Sequence, residues 1–414
     1  MTASRLQSCA PPASWPPVPV EFSVSTLLEI EQCARRWALR HASYEGLWER
    51  PGYPSPPSLA SLLGSTVHSS LERITHELAS AGCESPRAAS AVDVMRRLGG
   101  YDHVIEDALT RSLNELANNP RIRPRLPMIR RAALARVPQL RARLQHILAR
   151  LTFLPKPTDG GPSQHTERRR QPLRPGSYPE LRLRAPTIGW RGTADLLTLH
   201  EDGAEIIDFK TGEASEGHSF QLEIYALLWQ LDAELNPGAK LAKRLTLAYP
   251  ESDIDVPAPL GGALDRLREN VSLRTQAARE QLASNPPPAS PVAGVCGVCP
   301  VRHLCAEYWQ ASGSLPGSVV ARSTMGGEQD DIEVELMQQE GPGMWGVLVR
   351  AGGSLSRGAN ARLQSNAEIA SLTLPGRRLR LLSIRIARID APDEADASTL
   401  LVPTAWTEVF VLSA

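Results

Sequence analysis

The residues best suited to chemistry are two aspartates and a lysine, Asp195, Asp208 and Lys210. Two strand-like runs, Thr193–Leu199 and Ala204–Lys210, are joined by a short polar turn, and this pattern predicts an antiparallel hairpin. If the residues that close the turn pair with each other, Asp195 lies directly opposite Asp208. Lys210 follows two residues later and therefore lies on the same face of the strand. We expect two carboxylates and one ammonium group on one face, and a bulge in the turn would shift this register.

Two opposed carboxylates destabilise a sheet unless something compensates their charges, and a divalent cation does so. Asp195 and Asp208 would provide hard oxygen ligands for Mg²⁺ or Mn²⁺ and leave positions for water and a phosphate. Lys210 would orient or help to deprotonate the attacking water, or neutralise the phosphate. The arrangement suits metal-dependent hydrolysis of phosphodiesters.

A helix is predicted directly after the hairpin, over Gly217–Leu235, because its apolar residues recur with helical spacing. Gln221 and Tyr225 lie four residues apart, on one flank of this helix. Both side chains could face the acidic site and contact the scissile strand.

The order of these residues resembles the RecB-type branch of the PD-(D/E)XK nucleases. The resemblance rests on Gly192, Asp195, Asp208-Phe209-Lys210, Gln221 and Tyr225. It implies an α/β fold over residues 22–312, with a mixed central sheet flanked by helices. It also implies roles for two upstream residues: Glu180 as an acidic ligand or water-positioning group, and His68 as a metal ligand on an N-terminal helix.

Composition limits the classes of protein that the chain can belong to. Its 414 residues allow two or three domains, and its formal net charge of zero gives no global signal of a nucleic-acid partner. The sequence contains no run of about 18 apolar residues, so no membrane span is predicted. Residues 1–21 look like a flexible leader without the pattern of a signal peptide. We therefore expect a cytoplasmic protein without a membrane partner.

A basic helical insertion is predicted at about residues 90–151. Between Arg121 and Arg150 the sequence has nine arginines and no acidic residue. Such a local excess of positive charge predicts a nucleic-acid contact surface. The alternative is a solvated helical face that packs against acidic segments elsewhere in the chain.

The cysteines form a second candidate site. Cys296, Cys299 and Cys305 supply three thiolates, and a tetrahedral metal site or an iron-sulfur cluster needs a fourth ligand. The order of one cysteine before the nuclease core and three after it resembles the AddB-like and CRISPR-adaptation nucleases. That resemblance implies a 4Fe-4S cluster with Cys33 as its fourth ligand, and the cluster would be a structural staple. Zinc, with His303 as a possible ligand, is the alternative.

The chain changes character at about residue 313. Short alternating runs separated by turn signals predict a small β-barrel or sandwich over residues 313–414. An OB-like barrel that holds single-stranded nucleic acid is one interpretation of this domain. A protein-docking domain is the other, because the number of strands does not define the topology.

These features together predict a metal-dependent deoxyribonuclease, exo- or endonucleolytic, that acts in DNA repair or in defence against foreign DNA. The sequence lacks the Gly-x4-Gly-Lys-Ser/Thr phosphate loop, so unwinding would need a helicase partner. The alternative is a catalytically silent DNA-binding or scaffold subunit of a helicase-nuclease complex.

Overall fold

The structure is a computed structural model that describes residues 8–154, 170–212, 215–311, 329–372, 374–389 and 398–412. The first seven residues of the predicted leader and residues 313–328 of the predicted C-terminal domain lie outside the described residues. No helix in the described ranges is both long and apolar enough to span a membrane. The fold is mixed α/β, with a five-stranded central sheet and a separate C-terminal barrel.

The strands are distributed between these two units, with β1–β5 in the central sheet and β6–β11 in the barrel. Their bounds are β1 (Gly176–Ala185), β2 (Trp190–Leu199), β3 (Ala204–Phe209), β4 (Ala242–Ala248), β5 (Asp253–Val256), β6 (Gln329–Gly341), β7 (Met344–Gly352), β8 (Asn360–Gln364), β9 (Arg378–Ile389), β10 (Ser398–Val402) and β11 (Glu408–Val411).

The helices cover the sheet or connect the two units. Their bounds are α1 (Val24–Gln32), α2 (Ala34–His41), α3 (Leu59–Ser80), α4 (Ala89–Arg97), α5 (Gly100–Ala117), α6 (Leu126–Leu134), α7 (Val137–Leu148), α8 (Glu216–Leu231), α9 (Gly262–Ala283), α10 (Ala293–Cys296), α11 (Ala306–Ala311) and α12 (Ala367–Ala370).

The central sheet runs in the order β1-β2-β3-β4-β5. Only β3 and β4 are parallel, and α8 forms the crossover between them. One apolar core joins the sheet to α1, α2, α8 and α9, and a second joins its other face to α3–α7. Layers of helices on both faces therefore bury the sheet, as the α/β prediction requires.

The hairpin has the register that the sequence predicts. Leu196 pairs with Ile207 and Leu199 with Ala204, and continuing this register places Asp195 opposite Asp208. Alternation explains the shared face: Leu197 lies in the α8-side core, while Leu196 lies in the opposite core. Asp195 and Asp208 therefore belong to the face that packs against α8.

The N-terminal region differs from the prediction of a flexible leader. The described part of the leader is anchored, since Cys9 N donates to Val411 O at 2.8 Å and Ala13 N to Ser43 O at 2.9 Å. The residues that follow form two helices, which are separated at Cys33, whose backbone is extended at φ −170°. The Cys33 side chain caps α2 by accepting a hydrogen bond from Arg36 N.

The C-terminal domain is a five-stranded barrel with one extra strand. Strands β6, β7 and β8 form an antiparallel meander, β8 pairs in parallel with β10, and β9 closes the ring between β10 and β6. Strand β11 pairs with the first half of β9. Apolar residues of β6–β10, together with α12, fill the interior of the barrel.

The barrel packs on the segment that contains the three C-terminal cysteines. Arg302 forms a buried ion pair with Asp331, and Arg121 forms another with Glu408 at 2.8 Å. The His303 ring stacks on Phe410 with ring centroids 3.8 Å apart. These contacts hold the barrel against the α/β part of the chain.

The basic insertion is helical, as predicted, but its arginines have different partners. Arg121 and Arg125 bind Glu408, Arg141 binds Asp102 and Arg150 binds Asp253. For these four arginines the structure supports the interpretation as a solvated or packed face and corrects the prediction of a nucleic-acid surface.

Candidate active site

Three potential metal ligands converge at one end of the sheet: His68, Glu180 and Asp195. His68 Nε2 lies 3.3 Å from Asp195 Oδ1 and 3.9 Å from Glu180 Oε1. One ligand atom from each residue lies within 4.8 Å of the other two. Helix α3 supplies the histidine, while β1 and β2 supply the two carboxylates. The three side chains can therefore bind one small cation together.

Glu180 reaches this position through a local distortion of β1. Its neighbours Pro179 and Leu181 pair with Leu196 and Ala194 of β2, which places Glu180 across from Asp195. Glu180 itself has φ of 51°, in the left-handed region that residues other than glycine rarely adopt. Such strain costs about 1–3 kcal/mol and is concentrated at functional sites.

Asp208 lies beside this group but is not one of its three members. The Asp208 carboxylate forms an ion pair with Lys210, the first residue after β3. Asp195 is tied to the same strand end, because Phe209 N donates to Asp195 Oδ2 at 2.6 Å. The ligand atoms that lie close enough to share a cation thus belong to His68, Glu180 and Asp195, whereas the predicted set is His68, Asp195 and Asp208.

A chain of hydrogen bonds extends from Lys210 onto α8. Lys210 Nζ donates to Gln221 Oε1 at 2.8 Å, and Gln221 Nε2 donates to Tyr225 Oη at 2.6 Å. The spacing of four residues places Gln221 and Tyr225 on adjacent turns of one helix face. Gln221 therefore contacts the ammonium group directly, and Tyr225 is linked to it through Gln221.

Two glycines permit the close packing of helices around the site. A Cβ atom on Gly192 of β2 would lie 2.8 Å from Tyr225 Cε1, and one on Gly64 of α3 would lie 2.9 Å from Thr211 Oγ1. Both distances are too short for a side chain. Gly192 thus lets α8 approach β2, and Gly64 lets the turn before His68 approach the end of β3.

Burial and mutual repulsion raise the pKa values of the acidic groups when no cation is bound. Burial raises the pKa of Asp195 well above its usual range, and the charge of Asp208 adds to the effect. Burial, with the charges of Glu72 and Asp208, raises the pKa of Glu180 to about 7. Burial also raises the pKa of Asp208, against the opposing charge of Lys210, and lowers that of His68.

This environment fits a divalent cation. Within the described residues, Glu180 Oε1 is a buried atom without a hydrogen-bond partner, and it lies 3.9 Å from His68 Nε2. The local excess of carboxylates is unfavourable unless a positive charge enters. Carboxylate oxygens are the preferred ligands of Mg²⁺ and Mn²⁺, and a neutral imidazole completes the set. His68, Glu180 and Asp195 would hold the ion.

One further histidine near the site was not predicted from the sequence. His218, at the start of α8, lies close enough to Lys210 and Asp208 for both charges to shift its pKa, although burial is the largest cause of its lowering. Its Nδ1 lies 2.7 Å from Tyr249 Oη. The available signal was its spacing, because His218, three residues before Gln221, lies on the same helix face.

The four predicted cluster ligands line one small cavity. Cys33 lies between α1 and α2, Cys296 ends α10, and Cys299 and Cys305 flank a 3₁₀ turn. Cys33 and Cys296 lie 263 positions apart in the chain, yet the fold brings both to this cavity. Burial raises the pKa of Cys299 to about 11 and that of Cys305 to about 12.

His303 is not among the residues that line this cavity. Its ring is fully buried, with Nε2 2.7 Å from Tyr53 Oη and the ring face on Phe410. Burial and nearby arginines lower its pKa, so the ring is neutral. The geometry therefore gives no support to His303 as a zinc ligand.

The fold and the site together define a class of enzyme. A mixed sheet carries a cation-binding group at its end, beside a lysine–aspartate pair that the following helix orients, as in a metal-dependent hydrolase of the α/β type. The family follows from sequence comparison: residues 21–306 match the PD-(D/E)XK nuclease superfamily, and the chain belongs to it. Members of this superfamily are typically metal-dependent nucleases that cleave phosphodiester bonds. No curated protein shows significant similarity to the chain.

Proposed function

We propose that the protein is a metal-dependent deoxyribonuclease of the RecB type, AddB-like in its cysteines, with a structural 4Fe-4S cluster. The observation that carries the proposal is the convergence of His68, Glu180 and Asp195 beside the Lys210–Asp208 pair. A cation site alone would suit many proteins. The adjacent ammonium group, held towards it by Gln221, adds the group that a phosphodiester hydrolase needs.

The side chains of the site have different roles in the proposed reaction. His68, Glu180 and Asp195 hold Mg²⁺ or Mn²⁺, which when bound lowers the pKa of water and stabilises charge on the phosphate. Asp208 fixes the Lys210 ammonium group by its ion pair, and Gln221 fixes it from the other side. Lys210 then orients the attacking water or neutralises the phosphate.

Glu180 would bind the cation through one carboxylate oxygen, and its other oxygen would position the attacking water. Tyr225 Oη, held by Gln221, is a hydrogen-bond donor for the scissile strand. Both roles need substrate within reach of the same face.

Digestion of single-stranded and plasmid DNA with Mg²⁺ or Mn²⁺ tests this centre. We expect Asp208→Ala and Lys210→Ala to reduce cleavage by at least about 100-fold, because Lys210 provides the positive charge beside the reacting phosphate and Asp208 holds it there. Asp202→Ala and Lys243→Ala are matched controls, since these residues form an exposed ion pair at the far end of the hairpin. All four variants should keep the far-UV circular dichroism of the parent.

Equal cleavage by the active-site and control variants would refute the proposed centre. Binding of DNA with no cleavage under any divalent metal would instead favour the scaffold-subunit alternative.

The cluster proposal rests on the four cysteines around one cavity. Around a single tetrahedral zinc the sulfur atoms would lie about 3.8 Å apart, from Zn–S bonds of about 2.3 Å. Among the described residues, the group of three or more ligands within 4.8 Å of one another is the His68 group, so the cysteine sulfurs are more widely spaced. This spacing favours a larger group than one zinc ion.

Anaerobic purification with iron and sulfide analysis tests the cluster. We expect a brown protein with about four iron atoms per chain, and loss of the colour in Cys33→Ser. Cys83→Ser is the matched control, because Cys83 is buried beside Ser90 and away from the cavity. A colourless protein that contains zinc would overturn the assignment.

For the C-terminal barrel we propose an OB-like fold with a docking role. The closed five-stranded ring is consistent with the OB type. The basic side chains on β7 and β8 are already paired, Arg350 with Glu335 and Arg362 with Glu340. This neutralisation favours docking on the cysteine segment over the holding of single-stranded DNA.

The setting that fits this activity is cytoplasmic DNA repair or defence against foreign DNA. Because the sequence has no phosphate loop for ATP, a helicase partner would supply the single-stranded substrate. Cleavage of duplex and single-stranded substrates with and without free ends tests the preference for single strands and separates exo- from endonuclease action.

A further inference from the structure

A groove of about 680 Å³ begins where the catalytic strand β3 ends. Thr211 and Gly212, which directly follow Lys210, form part of one wall, and Tyr249 lies beside them. The opposite wall contains Arg136 and Arg143, at the start and in the middle of α7. The groove therefore leads from the reacting groups to the basic insertion.

The two groove arginines differ from their neighbours in the basic run. Arg136 and Arg143 are exposed, and within the described residues neither has a carboxylate oxygen within 4.0 Å. Arg141 on the same helix points to Asp102, and Arg150 is held by Asp253. The positive charges that remain free for a ligand thus include the pair that faces this groove.

Helical spacing explains why the two arginines act on one surface. Arg136 caps α7 and Arg143 follows seven residues later, two turns along the same helix face. Gln139 lies between them on that face and hydrogen-bonds Arg136 at 3.0 Å. Seven residues span about 10.5 Å of helix axis, about three times the rise of roughly 3.4 Å per phosphate in a stacked strand, so the two arginines would contact different, non-adjacent phosphates.

The groove is connected to the active site by side chains as well as by the backbone. Tyr249 on its wall contacts His218, whose pKa responds to the charges of Lys210 and Asp208. Arg150 donates hydrogen bonds to the Tyr249 and Pro250 carbonyls and so fixes this wall. A strand that lies in the groove would pass beside Thr211 and Gly212, the two residues that directly follow Lys210.

The opposite side of the active site has the wrong charge for a polyanion. A second groove of about 650 Å³ leads away from Glu180, and its described lining includes Glu72, Glu77 and Glu115. Two arginines there, Arg73 and Arg111, both face Asp107. The groove with Arg136 and Arg143 contains a single carboxylate, Glu251, among its described lining residues. Electrostatics therefore favour this groove for a phosphate backbone.

We propose that the groove binds the phosphodiester backbone of a single DNA strand on the Lys210 side of the scissile phosphate, with Arg136 and Arg143 as the phosphate contacts. The proposal rests on the proposed nuclease function and adds the path of the substrate. Arg121, Arg125, Arg141 and Arg150 are structural in this account.

Binding without cleavage tests this path. Fluorescence anisotropy of a labelled single-stranded oligodeoxynucleotide is measured in EDTA, over a series of salt concentrations, with the full chain. We expect Arg136→Gln/Arg143→Gln to weaken binding about 20-fold at 0.1 M salt. The slope of log K against log salt should fall by about 1.4, about 0.7 for each lost phosphate contact.

The control variant removes the same number of positive charges, but outside the groove. Arg96→Gln/Arg141→Gln neutralises two exposed arginines that pair with Asp93 and Asp102, outside the groove, and should leave affinity and slope unchanged. Arg136→Lys/Arg143→Lys keeps the charges and should restore most of the salt dependence. Thermal melting of each variant confirms that the fold is intact.

If the groove variant binds as tightly as the Arg96/Arg141 control, the proposed path is wrong. This failure is distinguishable from failure of the nuclease proposal, since Asp208→Ala would still abolish cleavage. Conversely, a fully active Asp208→Ala would refute the nuclease centre whatever the groove binds.

Discussion

Replacing Glu180 with glutamine should change how metal binding depends on pH. Glu180 Oε1 is one of the three convergent ligand atoms, and burial raises the pKa of this carboxyl group to about 7. A cation binds the ionised carboxylate and must displace the proton first. The affinity of the wild-type protein for Mn²⁺ should therefore rise across neutral pH, and Glu180→Gln should lose this contribution.

The size of the effect follows from the fraction of Glu180 that is ionised. With a pKa of about 7, the carboxyl group is ionised to about one-tenth at pH 6 and about nine-tenths at pH 8. Glu180 alone should thus raise the apparent affinity about tenfold over this interval. His68 adds little, because burial lowers its pKa and keeps it neutral. The charge of Glu180 also helps to raise the pKa of Asp195, so the difference between the two proteins includes this coupled change at Asp195.

Loss of the electron paramagnetic resonance signal of free Mn²⁺ measures this affinity without substrate. Glu115→Gln is the matched control, because Glu115 lines the adjacent groove but is not one of the three ligands. The control should keep the tenfold rise of the parent. If Glu180→Gln shows the same affinity and the same pH dependence as the parent, Glu180 is not a ligand and the metal site as described is wrong.

Two other predictions concern packing and acid stability. Gly192→Ala should lower the free energy of unfolding by about 1–3 kcal/mol and reduce cleavage, because its Cβ would lie 2.8 Å from Tyr225 Cε1. Gly238→Ala, where a Cβ meets no atom within 4 Å, is the control in urea melts, and equal stability of both variants would contradict the steric argument. Burial alone would raise the pKa of Asp331, but the charge and hydrogen bonds of Arg302 outweigh it and lower the pKa below 3.8. The stabilisation by this pair is therefore complete above pH 3.8 and is lost as the pH falls through the lowered value. Asp331→Asn should cost about 3–5 kcal/mol at pH 7, because it leaves Arg302 buried and unpaired, and should flatten the acid limb of a melting-temperature profile. If the melting temperature of Asp331→Asn falls with acid in the same way as that of the parent, the Arg302–Asp331 pair does not cause this loss of stability.

The hairpin could be predicted because local rules determine it. A polar turn of fixed length closes with His200 N donating to Gly203 O at 2.8 Å, and that closure determines every later pair, including the position of Asp195 opposite Asp208. The residues Lys210, Gln221 and Tyr225 follow by strand alternation and helical spacing. These parts of the site depend on contacts between residues close in sequence.

Glu180 and Cys33 show why other details of the structure could not be predicted from the sequence. The left-handed backbone of Glu180 depends on the surrounding sheet and not on a local signal, since glutamate seldom adopts it. Cysteine is not a usual helix cap, so the break at Cys33 has no sequence signature. In both cases tertiary contacts override local preference.

The arginine-rich run shows that composition alone does not predict which charged side chains are available to a ligand. Arg121 pairs with Glu408, 287 residues later, and no spacing rule connects residues so far apart. Only the fold separates the arginines that stabilise the domain from Arg136 and Arg143, which face the groove.

The attachment of β11 has a consequence for biosynthesis. Cys9 and Arg121 are made early, but Glu408, the partner of Arg121, follows 287 residues later, and Cys9 pairs with Val411 of the same strand. The early segments must therefore wait until β11 has been made before they reach their final contacts. A message cut short just before β11 would yield a chain with an unpaired buried guanidinium at Arg121, which cellular quality control would recognise as unfinished.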